Sequence, residues 1–284
     1  MTPEEMNQFI IQFNEISYLR QRKKLFHYPN FICVGAGRCG TSSVYKYLSE
    51  HPEVYMSPIK EINYFGIRDI ETNKNGITFS EYSYYFLGKQ ETQVCVGEIS
   101  PAYLTLPESA LQIKELLKDV KILIFLRDPI ERAISQYKHH VNQHQQKDIN
   151  EYFINGLKKR STMKHHEYRF QWFDPAKNIA QSMYSEGVQQ YLELFGSNLV
   201  KIMRYDDLKN TPSLFLDNLC DFLQINQDDS SKTLSKENSS SNELTVNTKL
   251  NHEVKNQLLE LFKPDLANLD KMTGLETELW LDKY

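Results

Sequence analysis

The sequence has little of what marks a secreted, metal-bound or membrane-spanning protein. Its four cysteines (Cys33, Cys39, Cys95 and Cys220) form no CxxC pair and have no Cys/His ligand spacing. A disulfide scaffold and a structural metal are therefore not expected, and a reducing compartment fits. Apolar runs such as residues 122–126 fall far short of the ~20 residues a bilayer span needs. The N-terminus carries Glu4 and Glu5 and lacks the apolar stretch of a signal peptide. Positive charge is not in excess either: 33 Lys+Arg stand against 37 Asp+Glu, a net charge of −4. Bulk electrostatic binding to nucleic acid is thereby disfavoured, while a small anion held by a few local arginines is not. There is no internal repeat, and residues 228–242 are the one low-complexity segment, with the composition of a flexible loop.

What is present suffices for a core. Hydrophobic residues make up 40% and aromatics 12%, which excludes wholesale disorder. An amphipathic helix is expected over residues 3–26, closed by Pro29. Strands are expected at 31–34, 93–96, 121–126 and 199–204, and helices at 41–50, 180–195, 213–223, 252–262 and 264–272. Asp128-Pro129 has the form of an N-cap and first position of a helix running to about residue 146. The polar, aromatic segment 148–178 is expected to be helical in part. Alternating strands and helices with no linker before residue 228 predict one α/β domain over 1–284, its mostly parallel sheet flanked by helices.

The loop Gly35-Ala36-Gly37-Arg38-Cys39-Gly40 joins a strand to a helix that opens with Thr41, Ser42 and Ser43. Such a turn presents free backbone N–H groups and the positive helix end to an anion. Arg38 adds a full charge, and three hydroxyls follow. Three anion-binding forms compete with an ordinary tight turn. The string is a GxGxxG, with Glu61 about 20 residues beyond it where a dinucleotide's ribose-binding acid would sit, although Ser57-Pro58 interrupts the expected second strand. As a nucleoside-triphosphate loop it has Thr41 where the lysine belongs, and no strand ends in a metal-binding Asp. The third form is a phosphosulfate loop. A second anion site is suggested by Arg127 at the end of strand 121–126 and Ser135 about two helical turns after Asp128.

Four segments in register carry a resemblance: FICVGAGRCGTSSVYKYLSEHPEV from residue 31, KEINYF from 60, GEISPAYL from 97 and ILIFLRDPIERAISQY from 122. Together they resemble the sulfotransferases that use 3′-phosphoadenosine 5′-phosphosulfate (PAPS), in particular bacterial members related to the glycosaminoglycan type. The segments 182–208 and 258–280 are similar to that family as well. The resemblance covers about residues 30–280, apart from 145–178 and the polar insert near 228–248. It implies a P-loop-like three-layer α/β fold. It also implies in-line transfer of a sulfuryl group to a hydroxyl, or an amine, of a small-molecule, natural-product or carbohydrate acceptor, leaving adenosine 3′,5′-bisphosphate (PAP) and needing no metal.

Carried over residue by residue, the resemblance assigns the 5′-phosphosulfate to Gly37, Arg38, Cys39, Gly40, Thr41 and Ser42, with Ser43 adjacent. Arg38 stands where the family has a lysine. Arg127 and Ser135 take the 3′-phosphate. Glu61 takes the place of the carboxylate base, with Asn63 replacing a common histidine, and His139 and His140 are the runner-up bases. Ile99 replaces a lysine that contacts sulfate or acceptor in some members, and Lys249 is the one candidate for the family's nucleotide-capping stretch. These departures, with the acidic charge, count against polyanionic acceptors. Tyr64, Phe65 and Tyr103, with Tyr168 and Trp172, are the expected acceptor wall, although aromatic rings there suit a core equally well. A cytoplasmic enzyme is the expected setting. A nicotinamide-dependent oxidoreductase and a non-catalytic nucleotide-binding protein are the alternatives.

Overall fold

A computed structural model describes residues 27–66, 78–140, 148–162, 174–227 and 248–284. The helix expected over 3–26, nearly all of the insert near 228–248, and Tyr168 and Trp172 lie outside the described residues. Five parallel strands form one sheet in the order β2-β3-β1-β4-β5, where β1 is Phe31–Gly35, β2 Val54–Met56, β3 Cys95–Ile99, β4 Lys121–Leu126 and β5 Val200–Arg204. The apolar runs are long enough only for strands covered on both faces. Every residue of β1 and β3 is buried, as are 122–126 of β4. Phe31 and Gly97 are paired across β1 and β3, and the ring of Phe31 fills the space where a Cβ on Gly97 would sit.

The chain moves outward from β1 to β2, returns through β3, then crosses β1 to reach β4. Right-handed crossovers therefore place helices on both faces. Helix α1 (Thr41–Glu50) meets α8 (Pro212–Leu223) through the Tyr47 hydroxyl and Cys220 Sγ, 3.1 Å apart. Helix α2 (Pro107–Leu117) meets α6 (Ser185–Phe195), where Lys114 Nζ lies 5.1 Å from the centre of the Phe195 ring. The reversal of direction at β1 opens a crevice at the carboxyl edge of β1 and β4, the usual ligand position in open α/β sheets.

Helix α3 (Pro129–His139) follows β4, and α4 (Ile149–Thr162) and α5 (Pro175–Ala180) occupy part of the segment left open by sequence. The short helix α7 (Tyr205–Asn210) follows β5 directly. Ser57-Pro58 interrupts the chain's extended run as expected: β2, a three-residue edge strand at a place where no strand was expected, ends just before it. One expectation is corrected. The two expected C-terminal helices are one, α9 (His252–Thr273), with Pro264 inside. Its buried stripe Val254, Leu258, Phe262, Leu266 and Leu269 runs past the proline at helical spacing, so burial outweighs one missing hydrogen bond.

Candidate active site

The loop after β1 folds over the end of the sheet. Ala36 N–H reaches across to Phe125 O at 2.7 Å, and the chain then turns into α1 through Gly40 at φ 84°. A Cβ at Gly40 would lie 2.7 Å from Leu208 Cδ2 and 2.9 Å from Tyr205 Cδ2, so this left-handed position also has no room for a side chain. Gly40 caps α1 without any side-chain hydrogen bond, at the helix end where an anion is favoured. Thr41 is buried, Ser42 exposed and Ser43 half-buried. Cys39 is buried, with Sγ near Gly37 O, and burial pushes its thiol up to about 12.

Three guanidinium groups converge on this loop. Arg38 Nε donates to Ser135 Oγ at 3.1 Å, which joins two residues 97 positions apart that the sequence places at opposite phosphates. Arg127 reaches Arg38 O at 3.4 Å, lies over the Tyr205 ring at 4.7 Å, and pairs with Glu131 at 3.2 Å. Arg132, missed in the sequence, is 1% exposed. It donates to Ser182 Oγ at 2.6 Å, Asn178 O at 2.7 Å, Asn178 Oδ1 and Gly37 O at 3.5 Å, all neutral acceptors. An arginine on an amphipathic helix ordinarily suggests a solvent-facing residue, and nothing in the local sequence marks this one as buried. Burial, then Arg127 and Arg132, pull the Arg38 pKa down. Positive charge so crowded is relieved by a bound polyanion.

Helix α3 is capped as the sequence predicts, Asp128 Oδ1 accepting from Ile130 N–H and Glu131 N–H at 2.9 and 3.1 Å. The chain's last described residues cover this cap: Tyr284 donates to Asp128 Oδ2 at 2.9 Å, and Lys283 lies 3.8 Å from Glu131 Oε1. Burial raises the Asp128 pKa.

Glu61 stands on a turn beside the crevice, half-exposed, its carboxylate 2.6 Å from Lys60 Nζ. His139 is exposed at the end of α3 and packs edge-on to His140 at 4.5 Å. Burial first, and then Arg38, lower its pKa, while Glu61 acts to raise it and Lys60 to lower it. Arg38, Glu61, Lys60 and His139 thus share one electrostatic neighbourhood. Lys249 is exposed just ahead of α9. The expected aromatic wall is corrected: Tyr64, Phe65 and Tyr103 are 5, 0 and 0% exposed and pack edge-to-face within the core. Their rings bury too much apolar area to be left at a wet opening. Among the described residues, no three His, Cys, Asp or Glu side chains are grouped as a metal site would require.

A profile of the sulfotransferase domain matches residues 29–265, and the chain belongs to the sulfotransferase family. A crystal structure of a sulfotransferase from Alicyclobacillus acidocaldarius is 28% identical, with a TM-score of 0.68 over 89% of this chain and 99% of that one. A mouse sulfotransferase, SULT7A1, solved with PAP, shares the fold at 12% identity, with a TM-score of 0.56 over 91% of this chain and 90% of that one. Among curated proteins, the membrane-associated sulfotransferase kil1 of Dictyostelium discoideum is 25% identical over 84% of this chain. A mouse heparan sulfate glucosamine 3-O-sulfotransferase 5 is 31% identical over 38% of it. The chain spans 64% of the length of the former and 30% of the latter. Among the described residues, no helix is long and apolar enough to cross a membrane. Membership of this family displaces the oxidoreductase alternative, and β2 accordingly ends at Met56, short of the acid that a dinucleotide fold would place there.

Proposed function

We propose that this chain is a PAPS-dependent sulfotransferase that acts on a hydroxyl of a carbohydrate or small natural product. The observation that carries the proposal is the Arg38–Ser135 contact, with Arg127 against the Arg38 carbonyl. It makes one cationic wall from the loop after β1 and the start of α3. The α1 terminus, which has no side-chain cap, and the three guanidinium groups fit a nucleotide bearing phosphates at two positions. Gly37, Cys39, Gly40, Thr41, Ser42 and Ser43 would hold the 5′ end through backbone and hydroxyl donors, and Arg127 and Ser135 the 3′-phosphate. PAPS supplies the sulfuryl group.

Arg38 stabilises negative charge as it develops on the departing phosphate oxygen, a role suited to a fixed donor in a site closed to water. Glu61 takes the proton of the acceptor hydroxyl once Lys60 is drawn away from it, and His139, whose pKa burial and Arg38 lower, is the alternative base. A hydroxyl acceptor is supported by the 3-O-sulfotransferase relative, and the net charge of −4 favours one that is not a polyanion. Four buried cysteines, all free thiols, support a reducing, cytoplasmic setting.

The test is incubation with PAPS labelled in its sulfur, against a panel of saccharides and hydroxylated natural products. Label transfer with matching PAP formation is expected. PAPS left intact across saccharides and natural products alike would overturn the proposal.

A further inference from the structure

Beneath the turn that carries Glu61 lies a carboxylate for which the transfer chemistry has no use. Glu98, in β3, is fully buried. Its Oε1 accepts from the Tyr82 hydroxyl at 3.0 Å and its Oε2 from Ser100 Oγ at 3.4 Å, with the Tyr103 hydroxyl in the same cluster. Two of these hydroxyls also face the turn. Ser100 Oγ accepts from Asn63 N–H at 3.2 Å, and the Tyr103 hydroxyl accepts from Tyr64 N–H at 2.7 Å and Phe65 N–H at 3.3 Å. A hydroxyl has a single proton, so one that gives it to Glu98 presents only lone pairs to the turn.

The turn depends on that support. Glu61 and Asn63 lie at φ 63° and 51°, a left-handed conformation disfavoured for residues with a Cβ. Its remaining anchors are Glu61 N–H to Ile99 O and Gly66 N–H to Gln112 Oε1, both at 2.9 Å.

We propose that the Glu98 carboxylate is a positioning residue. By taking the proton of Ser100 it aligns that hydroxyl toward Asn63 N–H, beside the Tyr103 hydroxyl that accepts from Tyr64 and Phe65, and so fixes the turn that carries Glu61. The inference rests on Glu61 being the base. The groups facing Glu98 are the phenols Tyr82, Tyr103 and Tyr191, from the turn at Phe79–Tyr82, the segment after β3 and α6, and all three are pushed well up by burial. Glu98 is therefore the member of this cluster that titrates near neutrality, burial raising its carboxyl to about 7. Below that pH the added proton must be donated to a neighbour, which reverses the alignment of one hydroxyl.

Glu98→Gln preserves size but offers one acceptor atom and one donor, so Tyr82 and Ser100 cannot both donate to it. Hydrogen exchange on the full chain is expected to quicken about 10-fold or more over residues 61–66, with 31–50 and 121–139 unchanged. PAP formation from PAPS should fall by about 10²-fold, the usual cost of a misplaced group, with little added loss in the Glu61→Gln background. The decline of wild-type turnover below about pH 7 should be absent in the variant. Unchanged exchange over 61–66, or losses that multiply in the double variant, would overturn the inference. Ser100→Ala, which removes the acceptor of Asn63 alone, should show the same signature at smaller amplitude and keeps the test open if Glu98→Gln does not fold. A wild type that neither binds PAP nor consumes PAPS would instead overturn the role of Glu61, and with it the purpose of the turn, whatever exchange shows.

Discussion

The two sides of the crevice are built on different principles. On the side proposed to hold the donor, the residues lie in short contiguous stretches: the loop after β1, the first turn of α1, and Arg127 through Ser135 at the start of α3. Each is fixed by its own strand or helix end. On the side proposed for the acceptor, Glu61 sits on an irregular turn tied to Ile99 of β3 and Gln112 of α2, and to buried hydroxyls nearly 40 residues further along the chain. A ligand of fixed chemistry is matched by local backbone geometry, whereas a variable acceptor is met by a turn that can be re-aimed by changing what lies beneath it.

Substitutions on the two sides should separate accordingly. The largest effect is expected from Arg38→Ala, which removes the charge at the departing oxygen and the tie to Ser135: PAP formation from PAPS should drop about 10²–10³-fold. A loss of affinity for PAP with no loss of turnover at saturation would assign Arg38 to binding alone. Glu61→Gln should lower turnover by about 10²-fold while calorimetry shows PAP affinity nearly intact, because the change lies on the acceptor side. Turnover that stays unchanged would transfer the base role to His139.

Arg127→Ala should weaken PAP by about 1.5–3 kcal/mol, and 5′-AMP hardly at all. An equal effect on both nucleotides would make Arg127 a structural residue whose partner is Glu131. The smallest effect is expected from Asp128→Ala, which removes the cap of α3 and lowers stability by about 1 kcal/mol, read as a drop in Tm. A loss of nucleotide binding much larger than that would show the cap and the donor site to be one unit.

The same contrast explains what the sequence could convey. Strand β4 and helix α1 have the expected bounds, and Asp128-Pro129 caps α3 as predicted, because these signals are local and several residues strong. Strand β2 was obscured by its three-residue length, and the continuity of α9 by Pro264, whose local penalty is outweighed by packing further along. The aromatic residues of KEINYF and SPAYL looked equally suited to a wall or to a core, since local sequence does not say which face of a turn meets the sheet. Arg132 and Glu98 were invisible as site residues for a related reason. Buried charge is rare enough that composition gives no warning of it, and only the tertiary arrangement reveals its partners.

The most direct test of this account is calorimetric titration of the chain with PAP, with 5′-AMP, ATP plus Mg²⁺ and NADH as comparisons. Tight binding of PAP, selective over all three, is the predicted result. A preference for ATP or NADH, or no binding of PAP, would contradict the assignment of the three-arginine crevice to a 3′-phosphorylated adenosine nucleotide.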